Sequence, residues 1–518
     1  MSSKSSLIVG WGSPNAAAQH RPQAVQSPTQ LWHGRAPDAF APLYRRFQQT
    51  GQARLRVVSV CFLMVAIAIQ TYLWWTAPDG MPASQLWLGT ASIFMGWIPT
   101  YAYLRDRNRA PLPFFEMICL YYCFAFSVTI VTGVSVRAVT WADEINPKAI
   151  LCVIAAQACL SAGFYSGRHM VTKILSPYRL SRKYSLKTFK LLAWCLISCH
   201  LLAIIKAVND IPSFNQFHQY AGDVGVGLFV YLWRKHLLSI GERTVLIAGV
   251  LPLSVLSNVT SGLLSGLMLL GLLILCVLWA LERVVPWKSV ALAIVCLSIL
   301  NAVKFEYRLL TWGAGQQAET AMFSKAYLLQ ELAVDHVLNS DKVIAPRTAT
   351  LLDRVSMMGF LSHIVDQSPN PIPYLDGESY VPLVYSLIPR IVWPGKPRLL
   401  SGYWFTERYG MRSPGDDVTS FNVPWLPELY ANFGIFGVTV GMFAIGLLLA
   451  GLDRKFNSRG MSPVEQVVGI ALIYGIIYQE SSLVMVGTLV PAAVVFYFLF
   501  GGVTRGGSRG VQRPSATS

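Results

Sequence analysis

The feature that most restricts the fold of this chain is a series of apolar runs, each about as long as a bilayer is thick. A helix that crosses the hydrocarbon core needs roughly 20 mostly apolar residues. Hydrophobic residues make up 53% of the 518 residues and charged residues only 13%, against about 25% charged residues in ordinary soluble domains. The sequence therefore predicts an all-α, polytopic membrane protein, and it excludes a disordered chain and a soluble enzyme of this size.

The runs predict about 12 transmembrane helices with one large loop between the ninth and the tenth. The predicted spans are 57–75, 84–104, 112–134, 148–166, 189–207, 222–240, 244–260, 262–282, 287–304, 430–451, 464–480 and 483–502. Arg234, Lys235 and His236 interrupt the sixth span. The prediction keeps that span because an odd number of spans must precede residue 305 if the basic loops are to share one side.

Basic residues fix the orientation of the spans. The chain has 42 Lys and Arg against 26 Asp and Glu, a net charge of +16. In a soluble protein such a charge would suggest nucleic acid, but here the cations cluster in short loops after spans two, four and ten and behind span twelve. The positive-inside rule places these loops and both termini in the cytoplasm, and no nucleic acid is expected as a partner.

This topology divides the chain into five parts. Residues 1–56 are predicted to be a disordered cytoplasmic tail, 57–304 to hold spans one to nine, and 305–428 to form a large periplasmic loop with short helices. Residues 429–502 hold spans ten to twelve, and 503–518 form a second cytoplasmic tail. Amphipathic patterns predict helices over 319–338 and 347–366 within the loop.

The densest group of cations in the loop lies between prolines. Arg390, Lys396 and Arg398 fall within nine residues that also contain Trp393, and proline restrains the backbone that carries them. Arginine can bind a phosphate through two parallel hydrogen bonds, and lysine supplies a point charge. The cluster is interpreted as a site for a lipid-linked pyrophosphate on the external face, outside a packed core, with Arg354 as an additional cation. The alternative is an interfacial loop whose cations contact lipid headgroups.

Aromatic rings and carboxylates follow this cluster. Trp404 and Tyr409 suit a sugar, because sugars stack on rings and hydrogen-bond to polar neighbours. Arg408, between them, is a secondary cation that could support Arg390 and Lys396, as could Arg354 and Arg398. Asp416 and Asp417 could act as a general base or hold a divalent cation, although adjacent carboxylates are also common in turns.

Glu428, at the start of the tenth span, is a third candidate base, or else an interfacial helix cap. The loop has no Asp-x-Asp motif and no cysteine, so no metal site is expected.

Residues 345–455 resemble the bacterial O-antigen polymerase family, the Wzy-type oligosaccharide repeat-unit polymerases. Two elements carry the resemblance: Ile388-Pro389-Arg390 with Trp393-Pro394-Gly395-Lys396-Pro397, and Glu428-Leu429-Tyr430-Ala431-Asn432-Phe433-Gly434-Ile435-Phe436-Gly437-Val438. The rest of the chain is similar only in its predicted topology.

The resemblance implies a glycosyltransferase of the multi-span C type in the bacterial inner membrane. Its substrates would be polyprenyl-pyrophosphate-linked glycans held in the lipid bilayer, and no cofactor would be needed. Arg390 and Lys396 would stabilise the leaving pyrophosphate, and one of Asp416, Asp417 and Glu428 would accept the proton of the acceptor hydroxyl. A chain-length regulator and a flippase are candidate partners. Two alternatives stay open: an O-antigen ligase, and a polysaccharide flippase or transporter without chemistry.

Overall fold

A computed structural model gives the fold of the chain. It describes residues 41–106, 110–133, 145–179, 185–202, 214–260, 262, 264–312, 322–338, 355–386, 388, 392–393, 395–397, 401–411, 423–478 and 483–500. Within these residues the chain is all-helical and contains no strand, as the sequence predicts.

The helices are numbered here in chain order. They are α1 (Ala41–Trp75), α2 (Ala83–Arg105), α3 (Phe114–Thr132), α4 (Pro147–Ile174), α5 (Leu186–Leu202), α6 (Phe214–Arg234), α7 (Ile240–Thr260), α8 (Leu264–Glu282), α9 (Trp287–Trp312), α10 (Met322–Leu338), α11 (Met358–Gln367), α12 (Val381–Ser386), α13 (Ser401–Arg408), α14 (Trp425–Phe456), α15 (Pro463–Ile477) and α16 (Leu483–Leu499).

Each predicted span overlaps one of these helices, although the sixth, 222–240, begins eight residues after the start of α6 and extends six residues past its end. Among the described residues, seven helices are long and apolar enough to cross a membrane, namely α1, α3, α4, α7, α8, α9 and α14. The coarser prediction of an all-α protein with several membrane-spanning helices is thereby confirmed. The number of twelve spans and the side on which residues 305–428 lie stay predictions.

Helices α4 and α14 approach each other closely along a line of small residues. Gly163 and Gly167 of α4 are four residues apart, as are Gly446 and Ala450 of α14. A Cβ atom added to Gly163 would lie 2.1 Å from the carbonyl oxygen of Phe443, and one added to Gly446 would lie 2.3 Å from that of Leu160. Glycines at this spacing let two membrane helices pack backbone against backbone.

Helix α14 is broken near its N-terminal end. Phe433 (φ −141°) and Gly434 (φ +60°) leave the helical region and separate a short outer segment, residues 425–432, from the long inner one. A Cβ atom at Gly434 would also lie 2.6 Å from the hydroxyl oxygen of Tyr374. Only glycine combines a positive φ with such a close approach at little cost.

Part of the predicted loop packs into the same hydrophobic core as the membrane helices. Phe360, Leu361 and Ile364 of α11 are buried together with Leu426 and Leu429 of α14. The loop is therefore attached to the outer segment of α14 by apolar burial, the main favourable term in folding. Residues 347–354 of the second predicted amphipathic helix lie outside the described residues.

Candidate functional site

The carboxylate of Glu428 lies at the centre of a buried polar cluster. Glu428 is 1% exposed. Its Oε1 accepts a hydrogen bond from Ser379 Oγ at 3.0 Å, and its Oε2 accepts one from the backbone N–H of Leu483 at 3.4 Å. Glu428 is in the first turn of α14 and Leu483 begins α16, so the carboxylate lies at two helix N-termini, whose partial positive charges offset part of the cost of its burial.

Asn432 completes this cluster, one helical turn after Glu428. Its Nδ2 donates to Ser379 Oγ at 2.8 Å and to the carbonyl of Glu428 at 2.7 Å. Its Oδ1 accepts from the backbone N–H of Gly377 at 2.9 Å. We call Ser379, Glu428 and Asn432 the Glu428 network. Buried polar groups in such a network specify one arrangement of the chain when each has a partner.

The break in α14 explains why the loop, at Leu375 and Asp376, hydrogen-bonds to the outer segment of this helix. A helical carbonyl normally accepts from the N–H four residues later, and the break at residues 433–434 interrupts this ladder. The backbone N–H of Leu375 donates instead to the carbonyl of Ala431 at 3.0 Å, and that of Asp376 donates to the carbonyl of Asn432 at 3.2 Å. The loop thus supplies hydrogen bonds that the broken helix lacks.

Tyr380, next to Ser379, carries a hydroxyl that is buried and has no hydrogen-bond partner among the described residues. Its ring stacks on Phe433, with centroids 6.5 Å apart. Burial raises the pKa of the Tyr380 phenol well above its usual value, and the negative charge of Glu428 raises it further. The phenol therefore stays protonated near neutral pH and can donate a hydrogen bond to a ligand.

Lys396 is held at the end of α12. Its Nζ donates to the carbonyl of Ile388 at 2.9 Å and to that of Ser386 at 3.3 Å. A cation at a helix C-terminus is favoured by the helix dipole. The expectation that the cluster lies outside a packed core does not hold for Lys396, which is only 4% exposed. Its ammonium group holds the segment in place, a role that sequence reasoning did not assign to it.

Trp393, three residues earlier, is 42% exposed. Its ring contacts Tyr385 edge to face, with centroids 6.4 Å apart. This exposure suits either a ligand or a membrane interface.

Of the aromatic residues in and just after α13, Trp404 is half-buried, and Phe405 and Tyr409 are buried. The Arg408 guanidinium lies over the Trp404 ring, 5.7 Å from its centroid, and its nearest nitrogen is 4.0 Å from a carboxylate oxygen of Glu378. Glu378 precedes Ser379, so Arg408 approaches the Glu428 network.

Tyr409 is 2% exposed, its ring stacks on Phe405, and its hydroxyl bonds to Ser368 Oγ at 2.9 Å. Such burial does not fit the surface stacking on a sugar that the sequence suggests for Tyr409.

Five predicted site residues lie outside the described residues, namely Arg354, Arg390, Arg398, Asp416 and Asp417. The structure connects the remaining candidates through α12. The helical stretch begins next to Ser379 and ends at Ser386. The carbonyl of Ser386 accepts a hydrogen bond from Lys396. Seven residues of helix rise about 10 Å, so the buried side chains of Glu428 and Lys396 lie near opposite ends of this stretch, in separate polar environments.

Sequence reasoning missed Ser379, Tyr380 and Asn432. A local signal existed only for Asn432, because residues four apart on a helix lie on one face. Ser379 contacts a residue 49 positions later, and nothing in the local sequence indicates that contact. No group of three or more His, Cys, Asp or Glu side chains in the described part of the chain is placed to hold a metal ion.

No curated protein and no solved structure matches this chain. A family model described as a domain of unknown function, DUF8712, matches residues 144–481. The matched region is more than half of the chain and contains the whole Glu428 network and Lys396. The chain therefore belongs to the DUF8712 family.

Proposed function

We propose that this protein is a glycosyltransferase that polymerises polyprenyl-pyrophosphate-linked repeat units into O-antigen or exopolysaccharide. In this proposal the chain crosses a bacterial inner membrane twelve times, with both termini in the cytoplasm and residues 305–428 in the periplasm. The confirmed part is narrower: the protein is all-helical and has several helices suited to a membrane.

The observation that carries the proposal is the attachment of the cation-bearing segment to a membrane helix. The Glu428 network fixes one end of α12 on the outer segment of α14, and Lys396 holds the segment that follows its other end. Such anchoring fixes Ile388 and Lys396, the described residues on either side of Arg390 in the sequence, and in this proposal Arg390 would bind the pyrophosphate. A polyprenyl chain in the bilayer would present its pyrophosphate near the end of a membrane helix.

The chemistry would proceed as a single displacement. The acceptor hydroxyl oxygen bonds to the anomeric carbon of the donor, the bond from that carbon to the phosphate oxygen breaks, and its electron pair leaves with polyprenyl pyrophosphate. Arg390, with Arg354 and Arg398 in support, would stabilise the negative charge of this leaving group. Trp393, Trp404 and Arg408 would contact the glycan or its lipid headgroup.

A carboxylate must accept the proton of the acceptor hydroxyl. Both oxygens of Glu428 already accept hydrogen bonds, and the residue is almost wholly buried. Glu428 is therefore better suited to positioning the loop than to abstracting the proton. The base would then be Asp416 or Asp417.

The product made by the purified protein tests this function. The wild-type protein in lipid nanodiscs, given only lipid-linked single repeat units, should yield a ladder of lipid-linked polymers on a gel. The Arg390→Ala variant should leave single units, whereas Arg459→Ala, a matched change of an exposed arginine near the end of α14, should still yield the ladder.

Two outcomes would favour the alternatives. A protein that makes no polymer but transfers a preformed one to a lipid A core acceptor is a ligase. A protein that only moves the lipid-linked unit between leaflets is a flippase. Either result would contradict the polymerase assignment.

A further inference from the structure

Helix α10 lies against the ends of two membrane-spanning helices. Its Leu329 is buried in one apolar cluster with Val303 of α9, and Val259 of α7 packs against the same cluster. Val303 and Val259 are each the residue before the last of a membrane-spanning stretch, Trp287–Lys304 and Ile240–Thr260 respectively. The buried face of α10 is therefore at the level where these two stretches leave the hydrocarbon core.

Polar contacts join the ends of α7 and α9. The hydroxyl of Tyr307 donates to the carbonyl of Thr260 at 2.7 Å. The Arg308 guanidinium donates to the carbonyl of Gly262 from two nitrogens, at 3.0 and 2.8 Å. Carbonyls at a helix C-terminus have no partner within the helix, so these bonds cap α7 and fix both helices at one level. The position of α10 thus depends on two membrane helices.

A second apolar face of α10 is exposed. At 100° per residue, five exposed side chains fall within about 100° of arc on the side of the helix away from Leu329. We call these residues the α10 stripe: Phe323, Tyr327, Val334, Val337 and Leu338. Phe323 is 74% exposed and Tyr327 is 69% exposed. The uncharged Gln330 lies among them. So large an apolar surface on one helix requires a partner that removes it from water.

Charged side chains border the α10 stripe along one edge. Ser324, Glu331 and Asp335 are exposed and lie within about 60° of Leu338 around the helix. The carboxylates can therefore stay in water while the stripe leaves it. This arrangement is typical of a helix that lies in the membrane interface, with its apolar face about 5–10 Å into the boundary between headgroups and acyl chains.

The helix on which α10 packs has a surface that faces lipid. Only 6% of the Trp287–Lys304 stretch of α9 is buried, and Leu292 and Val295 within it are exposed. Acyl chains cover apolar side chains at that depth. Leu309 and Leu310, in the turns of α9 beyond this stretch, are exposed as well. The α10 stripe therefore lies at the end of a helix that lipid surrounds.

We propose that the α10 stripe is embedded in the membrane interface, in contact with lipid headgroups and the adjoining parts of the acyl chains. Phe323 and Tyr327 suit this level, because aromatic side chains are favoured there and a tyrosine hydroxyl can stay at the wet end. The bordering charges are negative, so the contact needs no anionic lipid. The inference goes beyond glycosyl transfer and does not depend on which reaction the loop catalyses.

A second copy of this chain fits the α10 stripe less well than lipid does. A two-fold interface brings the same surface of both copies together. In an antiparallel pair of α10 helices, the edge with Glu331 would meet the same edge of the second copy, and like charges across an interface are costly.

Fluorescence quenching in nanodiscs tests the proposal. Full-length protein lacking its nine cysteines carries bimane on one introduced cysteine, in phosphatidylcholine brominated near the headgroup end of its acyl chains. Brominated lipid should quench the label at Phe323→Cys and Tyr327→Cys about twofold more than at Glu331→Cys, because the stripe lies about 5–10 Å deep. Iodide in the water should give the opposite order. Leu292→Cys, exposed on α9 within the membrane, is the control for full contact with lipid.

Photo-crosslinking gives a second measurement and leaves the native cysteines in place. Tyr327→p-benzoylphenylalanine, irradiated in the same nanodiscs without bromine, should yield a protein–lipid adduct in the intact mass spectrum. Glu331→p-benzoylphenylalanine, on the bordering edge of the same helix, should yield little adduct. This measurement decides alone if the cysteine-free protein fails to assemble.

Three outcomes would overturn the proposal. The first is lipid quenching at Phe323→Cys and Tyr327→Cys that is no stronger than at Glu331→Cys. The second is a covalent dimer from Tyr327→p-benzoylphenylalanine, which would assign the stripe to a second copy. The third is a crosslink from that position to another segment of the same chain, which would show that the protein itself covers the stripe.

Discussion

The hydroxyl of Ser379 donates a 3.0 Å hydrogen bond to the buried carboxylate of Glu428. This contact joins a turn of the long loop to the first turn of a membrane helix. The same hydroxyl accepts from Asn432, so a single side chain links two polar groups of α14. If residues of the loop catalyse glycosyl transfer, this contact determines their position relative to the membrane helix.

Removing the Ser379 hydroxyl should therefore destabilise the protein. Ser379→Ala leaves a carboxylate oxygen of Glu428 and an amide hydrogen of Asn432 buried without partners, at a cost of about 1–3 kcal/mol each. Thermal unfolding in detergent should show a clear decrease in the melting temperature. Ser324→Ala, on the exposed surface of α10, should leave that temperature unchanged, and equal temperatures for both variants would refute the network.

Gly434 should tolerate no side chain. Gly434→Ala places a Cβ atom at φ +60° and 2.6 Å from the hydroxyl oxygen of Tyr374. At φ +60° and ψ −150° the backbone is in a region that essentially only glycine adopts, which costs alanine about 1–3 kcal/mol, and the close contact adds to that cost. Gly80→Ala is a control for a positive φ without a close contact, because Gly80 has φ +85° with no atom within 4 Å.

The unfolding free energy should decrease more in Gly434→Ala than in Gly80→Ala. Adding Tyr374→Phe to Gly434→Ala should restore part of the difference, because it removes the nearest atom. Equal losses in the two alanine variants would show that the close approach to Tyr374 does not matter.

The contact between α4 and α14 should depend on Gly163. A Cβ atom there would lie 2.1 Å from the Phe443 carbonyl oxygen, so Gly163→Ala must push the helices apart. We expect a loss of more than about 2 kcal/mol, in the range of overpacked cores, seen as reduced abundance in the membrane and a lower melting temperature. Gly271→Ala, in α8 with open space around it, should be neutral or slightly stabilising, because alanine is the better helix former. Equal effects would contradict the packing.

Lys396 should matter for folding as well as for activity. Lys396→Met keeps the length of the side chain but loses two hydrogen bonds from a charged donor to the carbonyls of Ser386 and Ile388. Such bonds contribute about 1.5–3 kcal/mol each, so the melting temperature should decrease. Lys325→Met on α10 is the matched control. An unchanged melting temperature with lost activity would show that Lys396 acts on the substrate instead.

The sequence predicts the membrane helices well because the signal for them is local. The predicted spans 57–75, 262–282 and 287–304 agree almost to the residue with the membrane-spanning stretches of α1, α8 and α9, namely Val57–Trp75, Leu264–Glu282 and Trp287–Lys304. The ends are harder to place. Helix α4 continues to Ile174, eight residues beyond its predicted end. Polar residues such as Arg168 and His169 end the apolar run but do not end the helix, and the next proline is Pro177.

The candidate site could be predicted only in part. Glu428 was found because it is a carboxylate at the start of an apolar run. Ser379 was missed because its role depends on a contact between residues 49 positions apart. The buried position of Lys396 was missed because lysine is almost never buried without partners, and its partners are backbone carbonyls that the sequence does not distinguish.

The measurement that tests the central claim most directly is the polymerisation rate of Arg390 variants at matched abundance. Arg390→Lys keeps the charge but loses the planar fork that can bind a pyrophosphate through two hydrogen bonds. Its rate on lipid-linked repeat units in nanodiscs should decrease by roughly thirty- to a thousandfold, equivalent to about 2–4 kcal/mol of transition-state stabilisation. Arg459→Lys should leave the rate unchanged. Polymer of normal length, made by Arg390→Ala at the wild-type rate, would contradict the pyrophosphate assignment.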